Sequence, residues 1–339
     1  MTRITSLGKN SVKLVRVAHG LMTMTYEPLL LQTVNDEVCF QALRTSLDSA
    51  GPGEKVLLNT GMSYSYCRLH HTDLLGRFFA AHPDYASKAF ISLKGGIDVA
   101  RRCADATPEK IRQDLKTAQE ILGPHKSIDH FVLSRIDDNI PVEDAVGTLQ
   151  TIAAEDKSFE YLGLCETTAD TLRRACKAGP VPSVEIEVSP WTYGQEVQDV
   201  IATAGELGVT VFAYSPLGKG FLTGAVTQEN LGDYHMLSLF PRFAADAMKE
   251  NQKIVDLITT LAEKKGVTNA QMCIAWVASL GEHVIPLPGS SNASRTAENF
   301  AAVDIVLTPE EKIEMDQVVR GFEAVGHRYP EILRSMLMK

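Results

Sequence analysis

Short apolar, β-branched runs alternate with amphipathic stretches along nearly the whole chain. Residues 56–61, 88–94, 130–136, 161–166, 183–190, 208–217 and 283–289 read as strands, and 14–23 adds another near the N-terminus. Most are continuously apolar, the pattern of parallel strands buried on both faces. Between them, residues 34–51, 107–122, 141–156, 168–179, 194–208, 293–303 and 308–319 carry helical signals. The 107–122 segment is the clearest. Thr107 is placed to cap it, Pro108 takes the first helical position and Glu109 the first turn, while Ile111, Leu115, Ala118 and Leu122 share one face. Gly179 and Gly208 stop two of the others.

No Pro- or Ser-rich linker divides the chain, so the alternation predicts an α/β protein: a single (β/α)8 TIM barrel domain over residues 1–339, with a long loop after strand seven and a C-terminal tail. A doubly wound sheet would bring a GxGxxG turn after its first strand, and none occurs. The long connection, 218–251, predicts a lid over a ligand, with Phe221, Phe240 and Phe243 available to dock it.

Composition narrows the class. The 339 residues are 45% hydrophobic and 22% charged with a formal charge of −9, which excludes a disordered chain and argues against a nucleic-acid partner. The N-terminus lacks the apolar core of a signal peptide, and no apolar run approaches the roughly 20 residues that span a bilayer. The six cysteines are scattered without a CxxC pair, as expected of reduced thiols in the cytoplasm rather than of disulfides or a metal site.

Chemistry is expected at the C-terminal ends of the strands. Asn59, Lys94 and Ser134 end successive strands there, and neighbouring strands are only about 4.8 Å apart. Tyr64 follows Asn59 on a loop able to fold over the same mouth. Lys94 ends an apolar strand before Gly95-Gly96. It is either a lysine snorkelling to solvent or a buried ammonium that lowers the pKa of a neighbouring phenol from about 10. Gly289-Ser290-Ser291 and Arg295 form either an anion site at a helix N-terminus or a Ser/Asn cap with Arg295 solvated. Arg135, by strand alternation, should point away from Ser134 and pair with Asp137. His70-His71 reads as a solvated loop, and Asp137-Asp138 lacks the opposing carboxylates of a glycosidase. The tail at His327-Arg328 either covers the pocket or docks on the barrel.

These positions resemble the aldo-keto reductase superfamily from about Val17 to Tyr329, through YSPLGKGFLTG (214–224) and IPLPGSSNASRTAEN (285–299). The resemblance implies a (β/α)8 barrel using NADPH. More narrowly it points to the fungal pyridoxal reductase group, through Asn59, SLKGG (92–96), IDHFVLSRID (128–137), PRFAADAMKEN (241–251) and VGHRY (325–329). Within the family's catalytic set, Tyr64 would be the general acid and Lys94 its partner. Asn59 stands for the usual aspartate and Ser134 for the histidine. The loss of that aspartate would leave Lys94 without a counter-charge.

For the cofactor, the resemblance implies Tyr214 against the nicotinamide ring and Cys165, Glu166 and Glu185 near its carboxamide. Ser215, Leu217, Lys219 and Gly220 would line the pyrophosphate, and Ser290, Ser291 and Arg295 would hold the 2′-phosphate. Glu298 and Asn299 would lie near the adenine, and Gly20, Met22 and Gly289 complete the set. A guanidinium suits a phosphate monoester, which favours NADPH over NADH. The loop NTGMSYS (59–65) departs from the group's pattern at Met62, Ser63 and Ser65. The expected activity is reduction of pyridoxal to pyridoxine by a monomer or weak homo-oligomer acting on a small aldehyde. The alternatives are an NADPH-dependent reductase of another aldehyde or ketone, and a cofactor-binding, redox-sensing protein with little catalysis.

Overall fold

The structure is a computed structural model that describes residues 2–25, 35–64, 71–234 and 237–339, with the backbone alone at Thr25, Tyr64, His71 and Thr72. Among the described residues, eight strands run parallel in chain order: β1 (His19–Gly20), β2 (Glu54–Gly61), β3 (Ala89–Gly95), β4 (His130–Leu133), β5 (Tyr161–Cys165), β6 (Ser183–Glu187), β7 (Thr210–Tyr214) and β8 (Val284–Leu287). The sheet closes on itself between β8 and β1. Ala18 N–H donates to the Pro286 carbonyl and Gly20 N–H to that of Pro288, both at 2.9 Å, and Gly20 bridges Gly289. A Cβ on Gly20 would lie 2.9 Å from a Leu287 methyl, so the seam is built around a residue with no side chain. The α/β barrel expected from the alternation is the fold.

The expected 14–23 strand is divided. Lys13–Val15 pairs with Ile4–Ser6 in an antiparallel hairpin beside the start of β2, and only His19–Gly20 joins the barrel. Between the two pieces, buried Arg16 donates to the carbonyls of Thr2 (3.1 Å), Ala278 (2.7 Å) and Gly281 (2.8 Å). Strands expected to run to residues 136, 190 and 217 end at Leu133, Glu187 and Tyr214. Beyond those points the chain turns into the loops that form the mouth.

The surrounding helices are α1 (Asp36–Leu47), α2 (His71–Ala81), α3 (Pro108–Leu122), α4 (Val142–Asp156), α5 (Ala169–Ala178), α6 (Gln195–Leu207), α7 (Ala245–Lys265), α8 (Asn269–Ala278), α9 (Ala293–Ala301) and α10 (Pro309–Arg320). Thr107 caps α3 as expected, and Ile111, Leu115, Ala118 and Leu122 are its buried stripe. His71 opens α2 rather than lying in a loop, while His70 lies outside the described residues. Leu74, Leu75, Phe78 and Phe79 anchor that helix. One apolar layer packs between strands and helices, and a second, with Leu57, Phe90, Phe212 and Ile285, fills the barrel.

Two histidines are sealed into this interior. His130 lies between Ser92 Oγ (2.9 Å) and Ser183 Oγ (2.8 Å). At the seam, His19 Nε2 donates to the Ser290 carbonyl (2.9 Å), with Nδ1 3.0 Å from Ser46 Oγ. Burial pushes His19 down to about 4 and His130 to about 3. An unfolded chain takes up these protons near pH 6.5 while the native state refuses them until much lower pH, so stability falls as pH drops from about 6.5 towards 4. We expect His19 alone to account for about 3 kcal/mol of that loss. Urea unfolding of wild type and His19→Asn at pH 7.5 and 4.5 measures it: the pH dependence should shrink in the variant.

Candidate active site

The C-terminal end of the barrel is built around one lysine. Lys94, the last residue but one of β3, is 5% exposed, so its ammonium needs partners within the protein. It donates to Asn59 Oδ1 and to Glu185 Oε1, both at 2.5 Å, and Asn59 Nδ2 donates to Glu185 Oε2 at 2.7 Å. Ammonium, amide and carboxylate thus close a ring from β2 and β3 to β6 across the barrel. The expectation that Asn59 strips Lys94 of its counter-charge is corrected here. The carboxylate comes from Glu185, which is 2% exposed and which the sequence had assigned only to cofactor contact.

The turn Met62–Tyr64 follows β2 directly and packs on β3, which brings the backbone of Tyr64 beside the strand that carries Lys94. The side chain of Tyr64 and all of Ser65 lie outside the described residues. Ser134 follows β4, its N–H bonded to the Gly95 carbonyl at 2.9 Å. Its buried hydroxyl has no hydrogen-bond partner among the described residues.

Arg135 does not pair with Asp137. β4 has ended at Leu133, so strand alternation no longer governs the residue, and its guanidinium bonds the Ser134 carbonyl and lies 3.5 Å from Cys165 Sγ. Burial pulls its pKa down, but Cys165, Tyr214, Glu166 and Tyr329 outweigh this and raise it. Asp137 instead accepts from the backbone N–H of Ala106 (3.0 Å) and Asn139 (2.9 Å). Cys165 is buried and its thiol is pushed up to about 12, so it is no nucleophile at neutral pH.

A second ionic cluster lies beside the ring. Glu166, at a positive φ of 56°, accepts from Tyr214 Oη (2.7 Å) and from Arg328 (2.5 Å). Glu187 accepts from Lys219 (3.0 Å) and from Arg328 (3.1 Å). Burial pushes the Glu187 pKa up, but Lys219 and Arg328 prevail and lower it. Lys219 also sits 5.0 Å from the Tyr329 ring centre and 5.4 Å from that of Phe240. Tyr214 Oη is 3.2 Å from Tyr329 Oη, and burial followed by Glu166 holds the Tyr214 phenol well above its usual value.

Arg328 reaches this place because the tail is tied down on both sides of it. Asn251 bonds Val325 in both directions (2.9 and 2.8 Å). Gly326 turns at φ +87°, where a Cβ would strike the Pro241 carbonyl at 2.7 Å. At the far end Lys339 N–H bonds the Glu166 carbonyl (3.0 Å) and its carbonyl accepts from Thr168 N–H (2.9 Å). The tail therefore lies over the mouth. The long connection is packed down as well: Phe221 stacks on Trp191 at 4.5 Å, Phe243 meets Trp191 edge-on at 5.6 Å, and Phe240 contacts Tyr329 at 5.4 Å.

At the opposite rim, Asn292 caps α9 by accepting from Arg295 N–H (3.0 Å). The Arg295 side chain is exposed and makes no ion pair among the described residues. Ser290 is turned inward, its hydroxyl 2.7 Å from Thr296 Oγ1, which corrects its expected place facing an anion. Ser291 and Glu298 are half-buried, Asn299 is buried, and Met22 is exposed. Ser215, Lys219 and Gly220 all take positive φ (54°, 58° and 94°), making a sharp turn after β7 that is followed by a run of short 3₁₀ turns.

A model of the aldo/keto reductase family matches residues 16–320. The chain belongs to this family. A probable aldo-keto reductase 1 of Glycine max is 34% identical over 244 residues, 72% of this chain and 69% of that protein. The glycerol dehydrogenase of Gluconobacter oxydans superposes with a TM-score of 0.76 at 20% identity over 94% of this chain and 95% of that one, a likeness of fold. Members are oxidoreductases that use NAD(P)H on carbonyl groups, so this aldo/keto reductase is an enzyme of that kind. Among its described residues no helix is long and apolar enough to cross a membrane.

The Arg328 cluster escaped the sequence reading, although a signal was present. SVEIEV (183–188) sets two glutamates two apart in an apolar strand, hence on one face, and each then needs a buried cation. Replacing Arg328 by Met leaves Glu166 without its ion partner. We expect a loss of about 3 kcal/mol, the scale of a broken buried pair. Urea denaturation at pH 7 reads the loss, and an unchanged midpoint would mean the cluster contributes nothing to stability.

Proposed function

We propose that this aldo/keto reductase is NADPH-dependent and reduces an aldehyde, with pyridoxal the first candidate, as one domain over residues 1–339 working in the cytoplasm. The observation that carries the reading is the buried Lys94, held by Asn59 and Glu185 beside the turn of Tyr64. In this reading Tyr64 gives its proton to the developing alkoxide, and the nearby ammonium makes the phenol a usable acid. The Ser134 hydroxyl, without a hydrogen-bond partner among the described residues, would donate to the same oxygen in this reading.

The residues present fit a phosphate-bearing nicotinamide nucleotide at the β8–α9 rim. Arg295 is exposed and without an ion partner among the described residues, at a helix start with open amides. There Arg295 and Ser291 would hold the 2′-phosphate, with Glu298 and Asn299 by the adenine and Gly20, Met22 and Gly289 along the seam. Ser215, Leu217, Lys219 and Gly220 would line the pyrophosphate. Tyr214 and Cys165 would border the nicotinamide, since Glu166 and Glu185 are already engaged within the protein. NADPH, when bound, supplies the hydride.

A different aldehyde or a ketone is the second reading, favoured by Met62 and Ser63 in the loop after Asn59, where Met62 packs on the apolar core. The deciding assay follows NADPH consumption with pyridoxal, then with a panel of aldehydes, with NADH in parallel. We expect NADPH-selective turnover, and in Tyr64→Phe a loss of about 100-fold or more with NADPH affinity kept. Tight NADPH binding with no turnover of any carbonyl would sink the proposal. Arg295→Leu should raise KM for NADPH about 10- to 100-fold and leave NADH unaffected, because only the former carries the phosphate.

A further inference from the structure

We infer that Glu185 is a positioning residue for the Lys94–Tyr64 pair: it supplies the negative charge that keeps Lys94 ionised and aimed, with Asn59 bonded to both. The inference rests on the function proposed above and deepens it. Its basis is the closed ring. Lys94 donates at 2.5 Å to both Asn59 Oδ1 and Glu185 Oε1, and Asn59 Nδ2 donates at 2.7 Å to Glu185 Oε2.

A neutral amide serves this place from both ends, its oxygen facing the ammonium and its nitrogen facing the carboxylate. Ring charge decides what each substitution does. The native ring holds one ammonium and one carboxylate and is neutral. Asn59→Asp sets two carboxylates against one ammonium, so the pair takes up a proton rather than bear both charges. Glu185→Gln takes the carboxylate of the ring away from the buried ammonium. The double variant Asn59→Asp/Glu185→Gln is neutral again, with the carboxylate moved from β6 to β2.

The groups around the ring do not blur the reading. Cys165 on β5 is pushed up to about 12 and His130 on β4 is pushed down to about 3, both mainly by burial. Arg135, just beyond β4, is raised, and Glu166 is paired with Arg328. Between pH 6 and 10 neither that thiol nor that imidazole changes charge.

The test compares wild type, the two single variants and the double variant by thermal unfolding without ligands and by kcat against pH. We expect both single variants to unfold at lower temperature and the double to recover most of the loss. Glu185→Gln should lower kcat about 100-fold with KM for NADPH little changed. Its alkaline limb should move to lower pH, because Lys94 gives up its proton more easily without the carboxylate. The double variant should regain kcat to within about 10-fold. Losses that add in the double variant, a double variant that is stable but inactive, or a Glu185→Gln enzyme with the native pH profile would each overturn the inference. If Glu185→Gln does not fold, recovery of folded, active double variant carries the test. If wild type reduces no carbonyl, the proposed function fails, while the unfolding temperatures still decide the ring.

Discussion

The end of the barrel depends on burying one ammonium. Moving a lysine head out of water is expensive unless an opposite charge and further hydrogen bonds replace its hydration. Lys94 lies where the interior of the barrel meets its mouth, and no single neighbour satisfies it. The structure answers with a carboxylate from β6 and an amide that bonds both. That choice constrains β2, β3 and β6 at once, since the three side chains meet only if the barrel closes with these strands in their present register. Closure itself rests on the Gly20–Gly289 seam, where a Cβ on Gly20 would meet a Leu287 methyl at 2.9 Å and the Gly289 Cα at 3.4 Å.

The same logic extends two residues along β6. Glu187 shares the face of Glu185, so the strand delivers a second buried carboxylate beside the first, and Glu166 brings a third from the end of β5. Lysine 219 of the post-β7 turn and Arg328 of the tail balance the two that Lys94 does not. A guanidinium is the right group, because one planar fork can serve Glu166 and Glu187 together. The tail is thus part of the electrostatics of the mouth. Its clamp by Asn251 and the turn at Gly326 position a charge that the buried carboxylates require.

Features set by local chemistry were legible in the sequence. The strand alternation, the Thr107-Pro108 helix start and the row Asn59, Lys94, Ser134 all follow from periodicity and capping, which act within a few residues. What was hidden depends on partners far apart in the chain. Lys94 and Glu185 lie on β3 and β6, with two strands between them, and nothing near either residue announces the other. Arg135 was misjudged because alternation was carried past the end of β4, and Ser290 because a hydroxyl at a strand-to-helix turn can as easily face inward to Thr296. The strand at 14–23 was divided by Arg16, whose carbonyl partners are Thr2 and, more than 260 residues away, Ala278 and Gly281.

The place of the carboxylate bears on the chemistry proposed for Tyr64. Residues 59 and 64 belong to one strand and the turn that follows it, so a carboxylate at 59 would be carried by the same element as the phenol. Negative charge near a phenol opposes its ionisation, and the opposition weakens as the charges separate. With Asn59 on that element, the ammonium still has its counter-ion, supplied from β6. Lys94 thus has a carboxylate partner without an anion on the strand that leads to Tyr64. In the proposed reading, what favours the released form of the phenol is the ammonium's field less whatever a neighbouring anion cancels, so the ring's charge balance and the acid's strength are one problem.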